Sequence, residues 1–102
     1  MRLTPNVLYV EDDPDTRELM SVILKMENYQ VVLAESYNEA LLLALVMRFD
    51  LYMMDNWMPG GSGIELCKTL RVFDATTPII FTREQLTMPT NVRRLPRARR
   101  HI

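Results

Sequence analysis

Four short apolar runs, at residues 6–10, 29–34, 51–54 and 77–81, alternate along the chain with stretches of helical periodicity. Strand and helix that alternate without a break argue for a parallel sheet with helices on both faces. The runs are apolar nearly continuously rather than at every second position, which fits strands buried on both sides. The spacing predicts a first helix over 14–27, with Asp13 as its cap and Pro14 at its first position. Leu19, Val22, Ile23 and Met26 are its expected buried stripe. Ser36-Tyr37-Asn38-Glu39 reads as a capping box opening a second helix that runs to about residue 48. That helix is apolar nearly all round over 40–47, so it is either core or offers part of its surface to an interface. Ser62-Gly63-Ile64-Glu65 is another such box, leading a third helix through Leu66, Cys67, Leu70 and Val72.

The chemistry gathers at the ends of two strands. Asp55 closes the third run and opens into Asn56-Trp57-Met58-Pro59-Gly60-Gly61. Open α/β sheets bind ligands at the carboxyl ends of their strands, where such a loop begins. Glu11, Asp12 and Asp13 follow the first run in the same way. If the two strands are parallel neighbours, four carboxylates crowd at one sheet edge, and like charges that close ask for a cation. Capping explains Asp13 without any metal. Glu11, Asp12 and Asp55, with the backbone carbonyl of Trp57, offer the oxygen ligands that Mg2+ takes at roughly 2.1 Å.

Composition narrows the alternatives. The chain has 102 residues, enough for one small domain. Its single cysteine, Cys67, permits no internal disulfide, and no Cys/His cluster suggests zinc. No secretory leader opens the chain and no apolar stretch is long enough to span a membrane, so a cytoplasmic protein is the expectation. The net charge of −1 hides an asymmetry. Residues 1–82 carry 6 Lys/Arg against 12 Asp/Glu, and residues 83–102 carry 6 Arg against Glu84 alone. This basic tail, with Pro89 and Pro96, reads as an irregular segment, apart from a short helix near 83–86. It is either solvated or in electrostatic contact with nucleic acid or a neighbouring copy; no aromatics interleave its arginines to stack on bases. His101 within it is neither ligand nor phosphodonor.

Val10-Glu11-Asp12-Asp13, Asp55-Asn56-Trp57-Met58-Pro59-Gly60 and Thr77-Pro78-Ile79-Ile80-Phe81, in this order, resemble the receiver domain of two-component response regulators. The resemblance covers about residues 5–81. It implies a flavodoxin-like (CheY-like) sheet of order 2-1-3-4-5, with Asp55 as phosphoacceptor and Glu11 and Asp12 as the acids that hold Mg2+. It also implies a phosphohistidine on a sensor histidine kinase as donor, and a signalling module rather than an enzyme. The chain departs from that pattern after Phe81. Position 83, where the family places a Ser or Thr, is Arg, and Thr82 comes one residue early. Thr82 is read as a strand-end residue that would meet a phosphoryl group only if the backbone shifted by one position. The family's lysine at the end of a fifth strand has no counterpart, since Lys25 and Lys68 are the only lysines and fall in helices. The expectation is therefore an incomplete receiver of four strands, order 2-1-3-4, over 1–82, without the fifth strand and last helix. The tail would be irregular or exchanged with a partner, after a truncation or reading-frame change near residue 82.

Such a loss would bare the sheet face that the last helix covers, and favours a homodimer or segment-swapped oligomer. A receiver-like interaction protein that does not switch, assembling through that face, is the second reading. A dehalogenase-like phosphatase is disfavoured because Trp57 stands where the second Asp would act. Dinucleotide binding is disfavoured because acids, not glycines, follow the first strand.

Overall fold

The computed structural model describes residues 4–58 and 60–82. β1 (Asn6–Val10) lies between β2 (Gln30–Ala34) and β3 (Leu51–Asp55). Two short strands follow, β4 (Trp57–Met58) and β5 (Gly61–Ser62), and then β6 (Ile79–Thr82) pairs with the far side of β3. The main sheet is parallel throughout and runs β2-β1-β3-β6. With the separate two-residue ribbon β4–β5 set aside, this is the expected four-strand order. The fifth strand, last helix and tail considered above lie outside the described residues.

The helices α1 (Pro14–Met26), α2 (Tyr37–Val46) and α3 (Gly63–Phe73) divide between the faces. Leu8, Val10, Tyr52 and Met54 face α2 and α3, packing with Ala40, Ala44, Leu66 and Leu70. Val7, Tyr9 and Met53 face the other way and pack with Leu24 of α1. Every residue of β1 is buried, in keeping with the apolar run Val7–Val10 that follows Asn6.

Several details differ from expectation, each for a local reason. The buried stripe of α1 is not Leu19, Val22, Ile23 and Met26, which are 60%, 49%, 42% and 75% exposed. Ser21 and Leu24 are buried instead, with Met20 packed beside them. Both sets obey helical spacing, so the sequence period leaves the rotation of the helix undetermined. On the sheet face beneath α1, Val7, Tyr9 and Met53 are buried with Leu24 rather than bare, while Val31, Leu33, Leu51 and Ile80 around them are partly buried.

The capping box of α2 is displaced. Ser36 Oγ accepts from Glu39 N, but the Glu39 carboxylate accepts the amide of Glu35 at 2.7 Å rather than that of Ser36. At α3 the box is reciprocal, Ser62 Oγ taking Glu65 N while Glu65 takes Ser62 N. Helix α2 buries only Ala40 and Ala44 and leaves Leu42, Leu45 and Val46 exposed, so much of it is surface. It also ends at Val46 instead of about residue 48. There Asn6 Nδ2 donates to the Arg48 carbonyl, Asp50 Oδ2 accepts from Asn6 N, and Asp50 N donates back to Asn6 O. Those bonds pull the chain out of the helix and into register beside β1.

The entrance to β6 has a similar anchor. Asp74 accepts from the amides of Thr76 and Thr77 and from the Tyr52 hydroxyl at 2.8 Å. This turn delays the strand from residue 77 to Ile79. Burial alone would raise the Asp74 pKa, but the bonds from Thr77, Tyr52 and Thr76 outweigh it and hold the carboxyl down to about 2. Burial and the neighbouring Asp74 charge push the Tyr52 phenol above its ordinary range.

A folded pKa below the unfolded one contributes stability that is present above about pH 4 and is lost as pH falls towards 2. Asp74→Asn should therefore destabilise the fold by about 1 kcal/mol at pH 7. In urea titrations its deficit relative to the wild type should shrink as pH falls from 4 to 2; a deficit constant with pH would show that the charge of Asp74 contributes nothing.

Candidate metal and phosphoryl site

The parallel register of β1 and β3 sets Val10 beside Met54, so the residues that leave the two strands emerge together. Glu11 is held at the edge by its amide, which donates to the Ala34 carbonyl of β2. Its carboxylate oxygens accept from the Tyr9 hydroxyl at 3.3 Å and from the Asp13 amide at 3.2 Å. Tyr9 reaches it because residues two apart on a strand share a face. Glu11 is 1% and Asp55 2% exposed, whereas Asp12 is open to solvent. One carboxylate oxygen from each of Glu11, Asp12 and Asp55 lies within 4.8 Å of the other two.

The three side chains nominated as metal-holding acids thus come together. Buried negative charge at this density is costly without a counter-charge, and an all-oxygen donor set suits a hard divalent cation. One exposed acid on the solvent side leaves a path for an ion and its waters. These residues fit Mg2+.

Asp13 turns away from the cluster. Its Oδ2 accepts from the Thr16 hydroxyl at 2.7 Å and the Thr16 amide at 2.8 Å, and these bonds lower its pKa. Trp57, expected to offer its carbonyl, is placed by the pairing of β4 with β5, opposite Ser62. Thr82 is the register partner of Asp55, and its hydroxyl donates to the Met54 carbonyl at 3.4 Å, a strand-end role. Lys25 lines a hollow with Asn6 and Gln30 at the opposite ends of the strands, and Lys68 stands exposed on α3.

The loop after Asp55 is braced from two sides. Gly63 N donates to the Asn56 carbonyl at 2.7 Å, and Asn56 Oδ1 accepts from Ile64 N. A Cβ on Gly63 would lie 2.6 Å from the Asp55 carbonyl oxygen, so only glycine lets α3 start this close to the acceptor strand. On the other side the ring of Tyr37 covers the ribbon; a Cβ on Gly61 would meet Tyr37 Cδ2 at 2.8 Å. The Tyr37 hydroxyl is 2.6 Å from Thr69 Oγ1 and ties α2 to α3 across the loop. Gly60 at φ +92° allows the reversal between β4 and β5. Sequence reasoning missed Tyr9, Arg17, Tyr37 and Thr69. Tyr9 was legible from its spacing to Glu11; the others act across elements, and no local pattern marks them.

Comparison with known proteins agrees with this geometry. Residues 7–97 match the family described as response regulator receiver domain, a range that continues beyond the described residues. The transcriptional regulatory protein ResD of Bacillus subtilis (strain 168) is 38% identical over 76 residues, 74% of this chain and 32% of ResD. The chain therefore spans about a third of that relative's length. The chemotaxis response regulator CheY4 of Vibrio cholerae superposes with a TM-score of 0.75 at 34% identity, over 76% of this chain and 67% of that one. A chain in the complex of histidine kinase ThkA with response regulator protein TrrA superposes with a TM-score of 0.75 at 33% identity, over 79% of this chain and 70% of that one. With two acid-ended parallel strands side by side, helices on both faces and a match over most of its length, this chain belongs to the response regulator receiver domain family.

Proposed function

We propose that this chain is the phosphoacceptor module of a two-component phosphorelay. The carboxylate of Asp55 attacks the phosphorus of a phosphohistidine on a sensor histidine kinase. The P–N bond breaks as the P–O bond forms, the imidazole leaves, and the group remains as an aspartyl phosphate. The observation that carries this reading is the convergence of Glu11, Asp12 and Asp55 within 4.8 Å at the ends of neighbouring parallel strands. Mg2+ held by Glu11, Asp12, Asp55 and the Trp57 carbonyl would neutralise the carboxylates and the incoming phosphoryl oxygens. Asp55 is the acceptor in this reading because it ends β3 and leads directly into the glycine-bearing loop.

A histidine kinase as partner is supported by the family and by the kinase–regulator complex among its structural relatives. The chain is a signalling module rather than an enzyme in this reading. Among the described residues no helix is long and apolar enough to cross a membrane; a cytoplasmic setting is part of the proposal. Nucleic-acid contact, if any, would come through residues 83–102, outside the described part. The alternative of an interaction protein that does not switch loses its main support, since the inner strands of the sheet are covered. Self-association remains part of the proposal, through the outer edge of β6, where Phe81 is exposed.

The chain's single tryptophan, two residues from Asp55, provides the readout. Its fluorescence should change saturably with Mg2+ and again with beryllofluoride, and Asp55→Asn should abolish the second response. A response to Mg2+ alone would mean an acid pocket that cannot hold a phosphoryl group, and silence to both would refute the proposal. Light scattering at micromolar concentration should give a dimer mass; a clean monomer would remove self-association.

A further inference from the structure

Arg17 occupies an unfavourable place for a cation, the first turn of α1, where the helix dipole is positive. Its side chain is nevertheless only 17% exposed and follows the buried stripe shared with Met20, Ser21 and Leu24. Helical side chains lean towards the N-terminus, and this one reaches back over the β1–α1 turn. Nη1 donates to the Glu11 carbonyl at 2.9 Å and, at 3.4 Å, approaches the Asp12 carbonyl. Nη2 lies 3.8 Å from Glu35 Oε2, whose side chain is 68% exposed. Two carbonyls of the acidic pair and one carboxylate therefore surround a single guanidinium.

We propose that Arg17 is a positioning residue for the cation site: it clamps the backbone of Glu11 and Asp12 so that their carboxylates converge with Asp55. The proposal rests on the reading of that cluster as a Mg2+ site. The clamp also explains the rotation of α1. With Asp13 capping the helix and Arg17 tied to Glu11, the 17-20-21-24 face must lie on the sheet, and Leu19, Val22, Ile23 and Met26 must face outward. Its contact with Glu35 is long and solvent-exposed, so that pair contributes little by itself.

Two roles are open to a cation here, and they differ in sign. A guanidinium that merely offsets nearby acids competes with Mg2+, so removing it would tighten metal binding. A guanidinium that holds the ligand backbone supports Mg2+, so removing it weakens binding even though a repelling charge has gone. Loss of such outer contacts typically weakens metal affinity on the order of 10-fold.

The test is calorimetric Mg2+ titration of the wild type, Arg17→Met, Arg17→Lys and Glu35→Gln, with circular dichroism confirming that each is folded. Arg17→Met, which keeps the aliphatic stem, should bind Mg2+ about 10-fold more weakly. Glu35→Gln should stay within about 2-fold of the wild type. Unchanged or tighter binding by Arg17→Met would overturn the positioning role. If Arg17→Met does not fold, Arg17→Lys decides, because its charge is unchanged: weaker binding supports the clamp and equal binding overturns it. A wild type that binds no Mg2+ would instead remove the metal site, and the positioning role with it.

Discussion

Glu11 and Asp55 end neighbouring buried strands, and their convergence with Asp12 is the constraint around which the rest of the structure is arranged. Buried carboxylates of like charge at such range hold together only when hydrogen-bond donors and a counter-charge offset their repulsion and lost hydration. The Tyr9 hydroxyl and the Asp13 amide supply donors to Glu11. Arg17 adds positive charge at the backbone of the same turn. A divalent cation completes the balance in the proposed function.

Among the described residues, the polar groups at the opposite edge of the sheet serve register. Asn6 and Asp50 exchange bonds that align β1 with β3, and Asp74 gathers Tyr52, Thr76 and Thr77 at the entrance to β6. Because parallel register carries through from one strand end to the other, anchors at Asn6 and Asp74 determine what stands beside Asp55. Thr82 is opposite Asp55 for this reason. The β4–β5 ribbon and Gly63 then decide how closely α3 approaches the acceptor.

The strands were legible because parallel strands buried on both faces leave a continuous apolar signature, and residues 7–10 and 51–54 carry it plainly. The three acids that converge were legible too, since their position at strand ends follows from that reading. The rotation of α1 was not. Two stripes satisfied the same period, and the choice between them lies in a hydrogen bond from Arg17 to a carbonyl six residues earlier. The exposure of α2 was ambiguous because a helix apolar on every side gives no direction; Ala40 and Ala44 are buried, Leu41 and Leu43 pack partly against the core, and Leu42 and Leu45 face outward. The shifted cap at Glu39 and the early end at Val46 reflect contacts with Glu35 and Asn6, which act on the backbone.

Intact-mass measurement after incubation with a small phosphodonor such as acetyl phosphate tests the central claim most directly. The wild type should gain the mass of one phosphoryl group when Mg2+ is present. It should gain none in excess chelator, and Asp55→Asn should gain none under either condition. A wild type that stays unmodified, or an Asp55→Asn variant that is modified as readily, would contradict the assignment of this acidic cluster as a phosphoacceptor site.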